Sequence, residues 1–190
     1  SATRRGANAR QAERFCDDGA GLPHGQGRRG RDIPVRLARA NPRTAMTADT
    51  PAYDPGNIFA KILRGEIPAQ TVYEDADTLA FMDVMPQGEG HTLVIPKAPA
   101  RGLLDADPAS LAAVTATLQR VGRAVKAAFD ADGLTVFQYN EPAGGQTVFH
   151  LHFHIVPRRE GVPLKRHEGG MADPEVLAKH AARIRAALEA

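Results

Sequence analysis

The stretch His150-Leu151-His152-Phe153-His154-Ile155-Val156-Pro157 constrains the fold more than any other part of the chain. Histidines alternate with apolar residues, and alternation of this length, entered through glycines, predicts a half-buried strand. On a strand, side chains two apart share a face and stand about 6.5–7 Å from one another. His150, His152 and His154 are therefore expected as a row of imidazoles. Phe149, Leu151, Phe153 and Ile155 should turn the other way, toward a core. The lead-in Gly144-Gly145-Gln146-Thr147 brings exposed backbone N–H groups up to that row.

The rest of the chain has to supply the core. With 190 residues there is room for one domain that buries a real apolar interior. No run approaches the roughly 18–20 apolar residues of a spanning helix, so no membrane partner is expected. The single cysteine, Cys16, excludes an internal disulfide and a cysteine-built zinc site, and fits a reducing, cytoplasmic compartment. Charge divides the chain. Residues 1–45 hold 10 Arg against 4 acidic residues, whereas residues 46–190 hold 14 Lys and Arg against 18 Asp and Glu. The basic part is too poor in clustered apolar residues to offset the entropy of ordering. Residues 1–49 thus read as a disordered extension and 50–190 as the folded domain. Met46 stands just before the globular pattern begins. The extension reads as extra upstream sequence, an organelle presequence or an arm that could touch nucleic acid.

Asn57 caps a short expected helix with Ile58, Phe59, Ile62 and Leu63 on one face and Gly65 at its end. Strands are expected at Thr71–Glu74, Thr78–Val84, Gly90–Pro96 and Leu134–Asn140, with the triad segment as the fifth. A long helix starts at Asp107-Pro108. Leu111, Val114, Leu118, Val121 and Val125 form its apolar stripe, which could pack on the sheet or serve a dimer. Asp173-Pro174 starts a last helix. Short turns between strands with one long inserted helix indicate an antiparallel sheet of α+β class.

Three co-facial histidines allow a metal site completed by His91, nucleophilic catalysis on phosphorus, or a merely solvated face. No Asp or Glu lies within the triad segment to orient ligating imidazoles. The glycines and the neutral donors before it suit an anionic ester.

The triad segment resembles the signature of the histidine triad (HIT) nucleotide hydrolases and transferases, His-φ-His-φ-His-φ-φ with φ apolar. Asn57 to Pro68 is similar to that family's opening helix. Phe81-Met82-Asp83-Val84-Met85-Pro86-Gln87 and Gly90 to Lys97 are similar to its central hairpin. The closest likeness is to the Hint-type branch, including its bacterial members. The resemblance implies a five-stranded antiparallel HIT fold with a short N-terminal, a long central and a C-terminal helix, assembled as a homodimer. It implies a purine nucleotide substrate and no metal or other cofactor. His152 would attack the α-phosphorus of a nucleoside phosphoramidate or nucleoside monophosphate ester, with His150, His154 and His91 around it. Asn140, Gly145, Gln146 and Thr147 would meet the phosphate and leaving group. Asp83 would accept from the ribose, and Ile58, Phe59, Ile62, Phe81, Val84 and Leu93 would line the base pocket. A dinucleoside polyphosphate hydrolase and a non-catalytic nucleotide-binding module are the alternatives. Some bacterial members carry Cys-x-x-Cys in the opening block as part of a zinc site; those positions are Asn57 and Ala60 here.

Overall fold

The computed structural model describes residues 51–164 and 170–190. The basic extension, residues 1–49, lies outside the described residues. The described elements run α1 (Ile58–Leu63), β1 (Thr71–Glu74), β2 (Thr78–Met82), β3 (Thr92–Pro96), α2 (Pro108–Ala128), β4 (Gly133–Phe137), β5 (Phe153–Arg158) and α3 (Pro174–Glu189). The strands form one antiparallel sheet in the order β1-β2-β3-β5-β4. This is the expected α+β arrangement.

The helices begin where side-chain caps place them. Asn57 accepts hydrogen bonds from the N–H groups of Phe59 and Ala60, both at 3.0 Å. Asp107 does the same for Ala109 and Ser110, and Asp173 for Glu175. Each cap satisfies N–H groups that a helix cannot pair internally. Gly65, at φ 72°, turns the chain out of α1.

Register decides which residues share a face, because directly opposed residues of antiparallel strands point the same way. One row across the sheet is Ala80–Val94–Phe153, and another is Met82–Thr92–Ile155. These residues face α2 and α3, where Val114, Val121, Val125, Leu177, Ala181 and Ile184 complete an apolar core. The row between them is Phe81–Leu93–His154–Phe137. It faces the opposite side, where Phe59 of α1 joins Leu79, Phe81, Leu93 and Ile95 in a second, smaller cluster.

Four expected strands are shorter in the structure, β3 among them, since it starts only at Thr92 and leaves Gly90 and His91 ahead of it. β2 stops at Met82, leaving Asp83 and Val84 in the turn that follows. β4 stops at Phe137, leaving Asn140 beyond it. The triad strand starts only at Phe153, so His154 alone of the three histidines belongs to it. The reason lies in the neighbouring strand. Pairing upstream of Phe153 would bring the chain to Pro96, which has no N–H to donate to a ladder. The Leu151 N–H instead donates to the Ala100 carbonyl at 2.8 Å. The triad is therefore a strand end plus the loop that enters it.

Candidate active site

The histidines are not on a solvated face. His150 is 0% exposed, His152 and His154 are 4% each, and His91 is 0%. Aromatic rings cover them. Phe59 sets its ring edgewise to His152, with centroids 5.1 Å apart, and Phe137 stacks on its cross-strand partner His154 at 4.4 Å and 10°. The half-buried strand expected from the alternation is corrected to a segment buried on both sides.

Burial makes each ring nitrogen's partner decisive, since an unsatisfied buried polar group is costly. His150 Nε2 lies 2.9 Å from the Pro96 carbonyl oxygen, which only accepts, so Nε2 carries the hydrogen. His150 Nδ1 then accepts from the Tyr53 hydroxyl at 2.7 Å. Burial pushes the His150 pKa down and favours the neutral ring, opposed by the hydrogen bond to Pro96. Its own backbone carbonyl receives His152 Nδ1 at 2.6 Å. That contact places the His152 hydrogen on Nδ1 and the lone pair on Nε2. His152 is thus set in the tautomer that a nucleophile working through Nε2 requires.

A second chain of contacts runs through the remaining pair. The Gln87 N–H donates to His91 Nδ1 at 3.0 Å, which leaves His91 Nε2–H to donate to His154 Nδ1 at 2.9 Å. Asp83, buried, places Oδ2 at 3.4 Å from His91 Nδ1 and 3.9 Å from His154 Nδ1. Its Oδ1 accepts from the Met85 N–H. Among the described residues, Asp83, His91 and His154 form a group close enough to hold a cation. Two of its ring nitrogens are already joined to each other, and His91 Nδ1 is filled by an N–H, so the arrangement reads better as a hydrogen-bond relay. His150 and His152 stand outside this group.

The loop before the triad is built on its own contacts. The expected phosphate contact Gln146 is 3% exposed. Its amide donates to the carbonyls of Arg101 and Val148, and its Oε1 accepts from the Glu141 N–H. The side chain braces the loop from inside. Asn140 accepts from the Leu103 N–H and exchanges hydrogen bonds with Gln138, so it ties two loops together. Gly145, at φ 93°, and Thr147 are exposed in the loop that leads to the buried histidines. In the expected base pocket, Phe59, Phe81 and Leu93 are buried in the small cluster and Ile62 packs against it. Ile58 and Val84 remain 46% and 47% exposed, apolar and open to solvent. Two surface cavities of about 300 Å³ each lie elsewhere, one against Phe129 and Pro157 and one behind Leu63 and Leu79, and no triad histidine lines either.

Four residues of this region carry no sequence signal: Tyr53, Phe137, Arg101 and Glu141. Arg101 and Glu141 lie 40 positions apart and meet only in the fold.

A HIT domain pattern matches residues 64–161, just over half of the chain. The chain belongs to the HIT family. An uncharacterized HIT-like protein of Mycobacterium tuberculosis is 41% identical over 120 residues, covering 62% of this chain and 83% of the relative. A HIT-like protein of Bartonella henselae, described as involved in cell-cycle regulation and crystallised with an unknown ligand, is 56% identical. That structure matches with a TM-score of 0.68 over 72% of this chain and 99% of its own. The adenylylsulfatase HINT3 of Arabidopsis thaliana is 37% identical over 103 residues, covering 54% of this chain and 52% of that protein. Asn57, the position at which the resemblance implies a cysteine in some bacterial members, caps α1 here.

Proposed function

We propose that this HIT protein is a nucleotide hydrolase and nucleotidyl transferase that works through a covalent nucleotidyl-histidine. Its substrates would be purine nucleoside phosphoramidates or nucleoside monophosphate esters. The observation that carries the reading is the 2.6 Å contact of His152 Nδ1 with the His150 carbonyl, which puts the lone pair on Nε2. HIT proteins bind nucleotides, and a neutral imidazole is a competent nucleophile toward phosphorus.

In the first step the Nε2 lone pair forms a bond to the α-phosphorus as the bond to the leaving amine or alcohol breaks. The leaving group departs with that electron pair and takes up a proton. In the second step a water oxygen bonds to phosphorus, the phosphorus–Nε2 bond breaks, and the water's proton is released. The exposed loop at Gly145 and Thr147 is the side from which phosphate oxygens and the leaving group would approach. Asp83 and the apolar residues Ile58, Phe59, Ile62, Phe81, Val84 and Leu93 would take the nucleoside. The folded unit is taken as residues 50–190, acting as a homodimer in the cytoplasm.

The name of the Arabidopsis relative supports one variation. An adenylyl sulfate presents the same α-phosphorus with sulfate as leaving group, so the same attack by His152 would serve.

The test uses the purified full chain with adenosine 5′-phosphoramidate, adenylyl sulfate and a diadenosine polyphosphate in parallel, followed by acid-quench trapping of protein-bound nucleotide. His152→Asn is expected to lose about 10³-fold or more in kcat and to trap nothing. Full turnover in that variant would overturn the mechanism. Tight nucleotide binding without turnover of any of the three would replace the enzyme reading with a binding module.

A further inference from the structure

We propose that Arg101 and Glu141 form a positioning pair that sets the triad loop for attack. The inference rests on His152 being the nucleophile.

Arg101 is 7% exposed, unusual for an arginine. Its Nε and one terminal nitrogen grip the two Glu141 oxygens at 2.7 and 2.8 Å, a fork on a carboxylate. The guanidinium lies 3.8 Å over the Phe149 ring. One side chain thereby holds both ends of the loop, Glu141 where it leaves the β4 side and Phe149 where it delivers His150. The backbone repeats the attachment. The Arg101 carbonyl accepts from Gln146, and the Ala100 carbonyl accepts from Leu151, between His150 and His152. Asp105 fixes the other side by accepting from the N–H groups of Arg101 and Gly102, both at 2.7 Å.

Glu141 shows that this attachment works against a backbone preference. Its φ of 60° and ψ of 164° belong to a region that is essentially glycine's. A side chain persists there only where its surroundings over-determine it. The Arg101 fork, the Gln146 amide on the Glu141 N–H, and the Glu141 carbonyl accepting from Gly144 and Gln146 supply that constraint. The hydrogen bond from Arg101 also holds the Glu141 carboxyl below its usual range, so the pair stays ionised. The effect of the two side chains passes through Phe149 and the backbone to the His150 carbonyl that fixes the His152 tautomer.

Arg101→Lys keeps the charge but removes the fork and the stacking plane. Glu141→Gln keeps the shape and removes the charge. Steady-state kinetics on adenosine 5′-phosphoramidate, the single-turnover rate of nucleotidyl-enzyme formation, and thermal melts would be recorded for both variants and their combination. Arg101→Lys is expected to lower kcat and the single-turnover rate roughly 10- to 100-fold with KM little changed, as misplacement of a reacting group does. Glu141→Gln should show a smaller loss of the same kind, and the double variant should be no worse than Arg101→Lys alone, because the two act as a unit. A folded Arg101→Lys protein with a lowered melting temperature but wild-type kcat would overturn the proposal, as would losses that multiply. Should Arg101→Lys not fold, Glu141→Gln decides alone by the same criterion. Should the wild type form no nucleotidyl-enzyme, the His152 reading fails separately. Imidazole ¹⁵N–¹H spectra then still test the pair, which requires the hydrogen-bonded Nδ1 proton of His152 to be lost or shifted in either variant.

Discussion

One side of the sheet is closed by a large apolar core and the other by a smaller apolar cluster beside hydrogen-bonded histidines, and the two make different demands on sequence. Against α2 and α3, buried residues such as Val94, Ile155, Val121 and Ile184 need volume and little else. On the α1 side the same strands present His154, and around it stand His91, His150 and His152, all buried. There each ring nitrogen must meet the right partner. The helix side should therefore tolerate changed chemistry at constant volume and fail when volume is lost. The histidine side should fail when a single donor is lost while its volume is kept.

The largest effect on stability belongs to the helix side. Ile184→Ala removes a fully buried side chain that joins α3 to the core, and is expected to cost about 2–5 kcal/mol in denaturant unfolding. The turnover rate per folded molecule should be unchanged. A large fall in kcat with intact stability would show that the two sides are coupled and break the comparison.

Next comes Tyr53→Phe, which removes one hydroxyl. It leaves His150 Nδ1 without its 2.7 Å donor, and a buried acceptor stripped of its partner costs about 1–3 kcal/mol. The volume is nearly the same, so a comparable loss from so small a change would mark the histidine side as the one governed by hydrogen bonding. Acid sharpens the point. Burial holds the folded His150 pKa below its ordinary value of about 6.5. Below that pH the unfolded chain takes up a proton that the folded one refuses, so stability should fall as pH drops through the ordinary histidine range and level off above it. His180, set edgewise to Phe129 and also lowered mainly by burial, adds a contribution of the same sign. Unfolding curves of a His180→Asn control remove that contribution and leave the buried histidines of the triad side, His150 among them. A stability that stays flat or rises on acidification in that control would contradict the assignment.

The two sides also differ in how far the sequence discloses them. Helix-side packing follows from period and caps. The stripe through Val114, Val121 and Val125 and the starts at Asp107 and Asp173 are local patterns, and they appear where those patterns put them. The triad motif disclosed the family, and the alternation gave the wrong boundary for its strand. Alternation is a statement about one strand, whereas the ladder ends because Pro96 lies on another. Gln146 was expected at the phosphate, but its amide is spent inside the loop, a fact set by the carbonyls of Arg101 and Val148. Tyr53, Arg101 and Glu141 are separated from their partners by 97, 40 and 40 positions, and no local pattern links residues so far apart.

The smallest expected effect is the control that the comparison most needs, a buried hydrogen bond on the helix side. Thr117 of α2 and Thr78 of β2 share a contact of 2.8 Å between hydroxyls, both residues being buried. The Thr78 hydroxyl also donates to Asp75 Oδ1 at 3.0 Å, so Thr117 is the donor in the pair. In Thr117→Val the donor disappears together with its hydrogen, the volume is nearly kept, and Thr78 retains its own bond to Asp75. What remains is an acceptor with one partner fewer among apolar neighbours, a loss of about 0.5–1.5 kcal/mol. Denaturant unfolding of Thr117→Val beside Tyr53→Phe compares one hydroxyl with another at nearly equal volume. If Thr117→Val costs the smaller amount and leaves kcat alone, hydrogen bonding is decorative on one side of the sheet and structural on the other. If it costs as much as Tyr53→Phe, the division lies between buried and exposed polar groups, and the two sides are alike.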